Sequence, residues 1–181
     1  MDKRQRMILT GEIGSGKTSF CQHLVKGARQ AGLDLGGLIS PGVFEEGMKK
    51  AILAVDLQHD RSRQLASLRG DQAGSLATKR WRFDPEVVAW GNRVLARAVP
   101  CDLLVVDELG PLEFERGEGW VEGLRVLDEG EFDTALVVIR PSLVARAQQR
   151  WPGAEIIELT GSGGEGTAAK AQAVLDRILS R

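Results

Sequence analysis

The chain has 181 residues, 43% of them hydrophobic and 27% charged, enough for one domain with a substantial core and short of two. Its 24 Lys and Arg stand against 25 Asp and Glu, a balance that argues against a general nucleic-acid binder. No stretch approaches the ~20 apolar residues of a membrane span, so a single domain over residues 1–181 that does not cross a membrane is expected.

The first element is a short apolar run, Met7-Ile8-Leu9, which reads as a buried strand. Gly11-Glu12-Ile13-Gly14-Ser15-Gly16-Lys17-Thr18 follows and fits G-x-x-x-x-G-K-[ST], the phosphate-binding loop. Phe20, Leu24, Val25 and Ala28 then mark one face of a helix closing near Gly32. Glycines let consecutive N–H groups turn toward a polyphosphate, and the helix N-terminus adds partial positive charge there. In this reading residues Gly11 to Ser19 bind the nucleotide, Lys17 bridges the β- and γ-phosphates, and the Thr18 hydroxyl ligates Mg²⁺. A dinucleotide fingerprint fails, because Ser19 stands where G-x-G-x-x-G needs glycine or alanine.

Leu35 to Ile39 reads as a second strand, ended by Pro41-Gly42. Short extended pieces come next, Val43-Phe44, Ala51 to Val55 and Arg63 to Leu68. Glu46-Gly47 and Gly70-Asp71 separate them, as in antiparallel hairpins at a sheet margin. Asp84-Pro85-Glu86 opens a helix as N-cap, first helical position and acidic first turn. Val87, Gly91, Val94, Leu95 and Ala98 are its buried face, and Pro100 stops it. Leu103 to Val106 is the apolar run of a central parallel strand. Trp120, Leu124 and Leu127 mark a helix ended by Gly130. A strand over Ala135 to Ile139 and a helix on Leu143, Val144, Ala147 and Trp151 follow. The last strand is Glu155 to Leu159, and the last helix carries Ala168, Ala171, Leu175, Ile178 and Leu179 on one side. Strands alternating with helices predict an α/β fold with a mainly parallel sheet.

The central strand runs into Asp107-Glu108. Parallel strands bring their carboxyl ends to one edge, so Asp107 is expected beside the phosphate loop, holding Mg²⁺ with Thr18. Glu108 is then the residue that orients the attacking water, in a reaction whose loose transition state asks for positioning more than strong basicity. The strand over Leu35 to Ile39, lying between loop and acidic pair in sequence, points to the branch of these folds that activates water with its own carboxylate.

Three runs together, Gly11 to Thr18, Gly36-Gly37-Leu38-Ile39 and Asp107-Glu108-Leu109-Gly110-Pro111-Leu112-Glu113, resemble the THEP1-type nucleoside-triphosphatases. In that family a strand ends in Asp-Glu-Ile/Leu-Gly-x-Met/Leu-Glu, and the similar spacing spans Met7 to about Leu159. The resemblance implies one three-layer, RecA-like P-loop NTPase domain and Mg²⁺-dependent hydrolysis of ATP or another NTP, slow and tolerant of the base. The family's Glu-Val-Arg and Gly-x-Arg-x-Gly-Phe pieces have no counterpart in Gly42 to Ala51, which holds Lys49 and Lys50 and no arginine.

Arg140, just past a strand, is a candidate contact for the γ-phosphate, against a surface ion pair as the plainer reading. Glu113 matches the family run without an assigned role beyond capping or bracing a loop. Lys79-Arg80-Trp81-Arg82 and Gly161 to Gly164 are secondary candidates for stacking on a base or approaching it. Trp90, Trp120 and Trp151 read as packing residues. Cys21 and Cys101 lie outside any Cys/His cluster, and a basic start with only three apolar residues behind it gives no leader pattern, so the cytoplasm is the expected compartment. Two other functions fit the same loop: a small-molecule kinase with an acceptor pocket in the Val43–Leu68 region, and a regulatory module that acts through a protein partner.

Overall fold

A computed structural model describes residues 4–68, 81–161 and 166–181. Its centre is a sheet of five parallel strands in the order β2-β7-β8-β1-β9, comprising β1 (Gln5–Thr10), β2 (Leu35–Ile39), β7 (Cys101–Leu109), β8 (Phe132–Ile139) and β9 (Glu155–Glu158). Beyond β2 the sheet turns antiparallel through β4 (Met48–Asp56), β5 (Arg61–Leu68) and β6 (Trp81–Phe83). The short β3 (Gly42–Glu45) pairs with β4 and takes over where β2 stops. The hairpins expected at the margin are these strands.

Helices cover both faces of the parallel part, which is why its strands are apolar at successive positions. On one face α1 (Lys17–Gln30) and α5 (Thr167–Leu179) pack on Met7, Leu9, Leu103, Val105, Leu136 and Val138. On the other, α2 (Pro85–Ala96), α3 (Val121–Glu129) and α4 (Val144–Arg150) pack on Ile8, Leu104, Val106, Ala135 and Val137. The result is a three-layer α/β fold with the parallel order of a RecA-like sheet.

Local chemistry places several boundaries. Asp84 caps α2, its carboxylate accepting the N–H groups of Glu86 at 2.9 Å and Val87 at 3.4 Å. Gly91 lets α2 close on Trp120, because a Cβ there would lie 2.2 Å from the indole ring. The three tryptophans are packing residues, each less than 10% exposed: Trp90 at 9%, Trp120 at 4% and Trp151 at 4%.

Three sequence expectations are corrected. The strand expected to end at the acidic pair continues to Leu109, with a register shift against β8 between Val106 and Leu109. A wide helical turn over Leu112–Arg116 precedes α3 and has no signal in the apolar spacing. On α5, Ala168 is exposed and Leu179 is 48% exposed, whereas Thr167 and Val174 are buried beside Ala171 and Leu175. The helix is rotated relative to the stripe read from the sequence.

Candidate active site

Register brings the site together. β1 and β8 align Leu9 with Val138, and β7 and β8 align Val106 with Val137. Gly11, Asp107 and Arg140 therefore reach the carboxyl edge on three adjacent strands. β8 lies between the loop strand and the acidic strand in space; Leu35 to Ile39, which separates them in sequence, lies on the far side of β7.

The loop has backbone that side chains resist. Gly14 and Gly16 sit at φ 84° and 90°, and a Cβ on Gly11 would lie 2.6 Å from the Leu159 carbonyl oxygen. Gly16 caps α1 with no side chain to accept its first N–H groups, and the first turn holds no acidic residue, so the positive helix end is left open. Ser15 is buried under the loop, and its Oγ has no hydrogen-bond partner. The Lys17 ammonium donates to the carbonyls of Gly11 at 2.6 Å and Glu12 at 2.9 Å. Glu12, Ile13, Gly14 and Ser19 are exposed, and Gly16, Lys17 and Thr18 are half-buried. An open helix end with a cation at its mouth suits an anion.

Asp107 is 3% exposed. The Ser40 N–H donates to its Oδ2 at 3.2 Å, and the Ser40 hydroxyl donates to its carbonyl at 2.6 Å. Burial, then the neighbouring Glu108 charge, pushes the Asp107 carboxyl up to about 6, against the opposing pull of Ser40, the Thr18 hydroxyl and Lys49. The Asp107 carboxylate and the Thr18 hydroxyl are hard oxygen donors, and a buried carboxylate short of compensating charge fits a hard divalent cation. Glu108 is half-buried, and Arg140 Nε donates to its Oε1 at 2.7 Å. Arg140 thus reaches the edge, and there it makes an ion pair.

Glu113 folds back under this edge. Its carboxylate accepts the Gly110 N–H at 2.8 Å and the Trp120 N–H at 2.7 Å, and burial raises its pKa against those two donors. It braces the loop that leaves β7.

Sequence reasoning missed Ser40 and undervalued Lys49. Ser40 follows β2 directly, and its place at the end of the strand beside β7 was the available signal. Lys49, on β4, feels the Asp107 charge and lies with its ammonium 5.6 Å from the centre of the Trp81 ring. Of the secondary candidates, Gly70-Asp71, Lys79-Arg80 and Ser162 to Gly164 lie outside the described residues.

A family model described as NTPase matches residues 6–163. The nucleoside-triphosphatase THEP1 of Methanosarcina barkeri is 26% identical over 166 residues, covering 91% of this chain and 94% of the relative. That of Ignicoccus hospitalis is 30% identical over 111 residues, covering 60% and 61%. Among solved structures, a human cancer-related nucleoside triphosphatase superposes with a TM-score of 0.71 at 16% identity, over 97% of this chain and 98% of the other. THEP1 from the hyperthermophile Aquifex aeolicus gives 0.68 at 18% identity, over 96% and 99%.

Proposed function

Since the chain belongs to the NTPase family and is a nucleoside-triphosphatase, we propose that it cleaves NTP to NDP and phosphate with Mg²⁺, slowly and with little regard for the base. The observation that carries this reading is the meeting of an open phosphate loop with Asp107, Glu108 and Arg140 on one sheet edge. The polyphosphate sits on the N–H groups of residues 11–19, in front of the uncapped start of α1. Lys17, which now bonds the loop's own carbonyls, turns its ammonium to the β- and γ-phosphates. Thr18 and Asp107 are the residues that would hold Mg²⁺, which when bound supplies charge neutralisation between the phosphates.

Glu108 orients a water in line with the γ-phosphorus. The water oxygen forms the new P–O bond, the bond to the β–γ bridging oxygen breaks, and the water proton passes to the Glu108 carboxylate or a phosphate oxygen. Arg140 meets the charge that develops on the transferring group. Base tolerance is supported by the lack of an Asn-Lys-x-Asp base reader in the sequence. The cytoplasm is the compartment proposed, in keeping with two free cysteines, one buried and one half-buried.

The test is phosphate release from ATP, GTP, CTP and UTP with Mg²⁺, for the native protein, Lys17→Ala and Glu108→Gln. Turnover lost in both variants, with Glu108→Gln still binding nucleotide, supports the roles assigned. Binding without phosphate release by the native protein would sink the reading and point to transfer onto an acceptor.

A further inference from the structure

The reaction above leaves one buried carboxylate without a task. Glu113 is 8% exposed, and among the described residues no Lys or Arg pairs with it. A carboxylate in that position is costly unless its oxygens are satisfied, and both are: Oε2 takes the Gly110 N–H and Oε1 the Trp120 N–H, at 2.8 and 2.7 Å. Two acceptor atoms on one side chain are what this task requires. An amide offers one acceptor and turns an NH₂ toward the other N–H.

The surrounding chain is built to admit that carboxylate. A Cβ on Gly119 would lie 2.0 Å from Glu113 Oε1, so any larger residue at 119 would evict it. Asn92 on α2 secures the far end of the loop, donating to the Gly119 carbonyl at 2.8 Å and accepting the Glu122 N–H at 3.0 Å. The near end is the reacting edge. Gly110 follows Glu108 by two residues, and a Cβ built there would have Arg140 Nε at 3.8 Å and Glu113 Oε2 at 3.9 Å.

We propose that Glu113 is a positioning residue for hydrolysis: by stapling Gly110 to Trp120 it fixes the backbone that carries Glu108 and holds Glu108 against Arg140. This rests on the reading that Glu108 orients the water. A staple placed only for stability would not need to grip the chain two residues from that carboxylate, within reach of its arginine partner.

The experiment compares native protein, Glu108→Gln, Glu113→Gln and Gly119→Ala. It measures kcat and KM for phosphate release, direct binding of Mg²⁺ and ADP, and thermal melting to establish the folded fraction. For Glu113→Gln the expected result is a fall in kcat of about 10- to 100-fold, with the ADP Kd within about twofold of native. Gly119→Ala should give the same split, since it displaces the same carboxylate, and it decides the matter if Glu113→Gln does not fold. Native kcat in a folded variant, or losses that track the unfolded fraction alone, would overturn the proposal. If Glu108→Gln is inactive while Glu113→Gln is not, only this inference fails. If Glu108→Gln turns over normally, the reading of Glu108 fails and this inference falls with it.

Discussion

Arg140 Nε donates to Glu108 Oε1 at 2.7 Å, joining the cation beyond β8 to the carboxylate proposed to hold the water. The side chains are 49% and 30% exposed, so the pair adds no more than about 1 kcal/mol to stability. Its location matters more than its strength. In the nucleotide-free protein the arginine neutralises Glu108, and a γ-phosphate arriving at the loop offers it a stronger partner.

Arg140→Gln is therefore expected to lower kcat by roughly 100-fold or more while moving Tm by less than about 2 °C. Phosphate release and a melting curve on the same preparation check it. Unchanged or faster turnover would show that Arg140 merely restrains Glu108.

Asp107 gives a prediction with a defined sign. Its folded pKa, about 6, lies above the ordinary 3.8, so the folded state binds this proton more tightly than the unfolded chain does. The burden is absent below about pH 4, grows as pH rises toward 6, and is fully present above that, at roughly 3 kcal/mol. Asp107→Asn should raise the Tm of nucleotide-free protein at pH 7.5, give little gain at pH 4, and abolish turnover. Calorimetry at the two pH values reads the difference, and a gain that does not depend on pH would show that ionisation is not its cause.

The same carboxylate links metal to stability. A divalent cation held by Asp107 and Thr18 relieves the charge that burial disfavours, so Mg²⁺ with ADP should stabilise the native protein more than Asp107→Asn. Adding EDTA should remove most of the native gain and little of the variant's. Equal shifts in the two proteins would place the cation elsewhere.

The parallel half of the fold was legible because each of its strands is an uninterrupted apolar run, the pattern of a strand buried on both faces. The phosphate loop was legible because its glycines and Lys17-Thr18 are contiguous. Ser40 and Asn92 were not: Ser40 meets Asp107 across 67 positions and Asn92 meets Gly119 across 27, and no local spacing encodes such contacts. Glu113 stood in a recognisable run, yet its task appears only when Trp120, seven residues on, turns back to it. On α5 the exposed Ala168 misled because alanine suits either face of a helix.

Gly36-Gly37 shows what a family-like run can encode besides chemistry. Gly37 pairs with Val105 on β7, has φ 104°, and a Cβ on it would lie 1.9 Å from the Val105 carbonyl oxygen. A Cβ on Gly36 would meet the Ala98 carbonyl at 2.0 Å. The pair lets β2 lie close against β7, and that contact delivers Ser40 to Asp107. Gly37→Ala is expected to cost about 3 kcal/mol or more, a Tm loss of roughly 6–12 °C, because backbone faces the added atom and cannot move aside cheaply. Gly47 is the control, since it also has positive φ, at 75°, but opens onto free space. Gly47→Ala should cost only about 1 kcal/mol, the strain of the backbone conformation alone. Equal losses in the two variants would mean that φ, and not the approach of β2 to β7, sets the requirement for glycine.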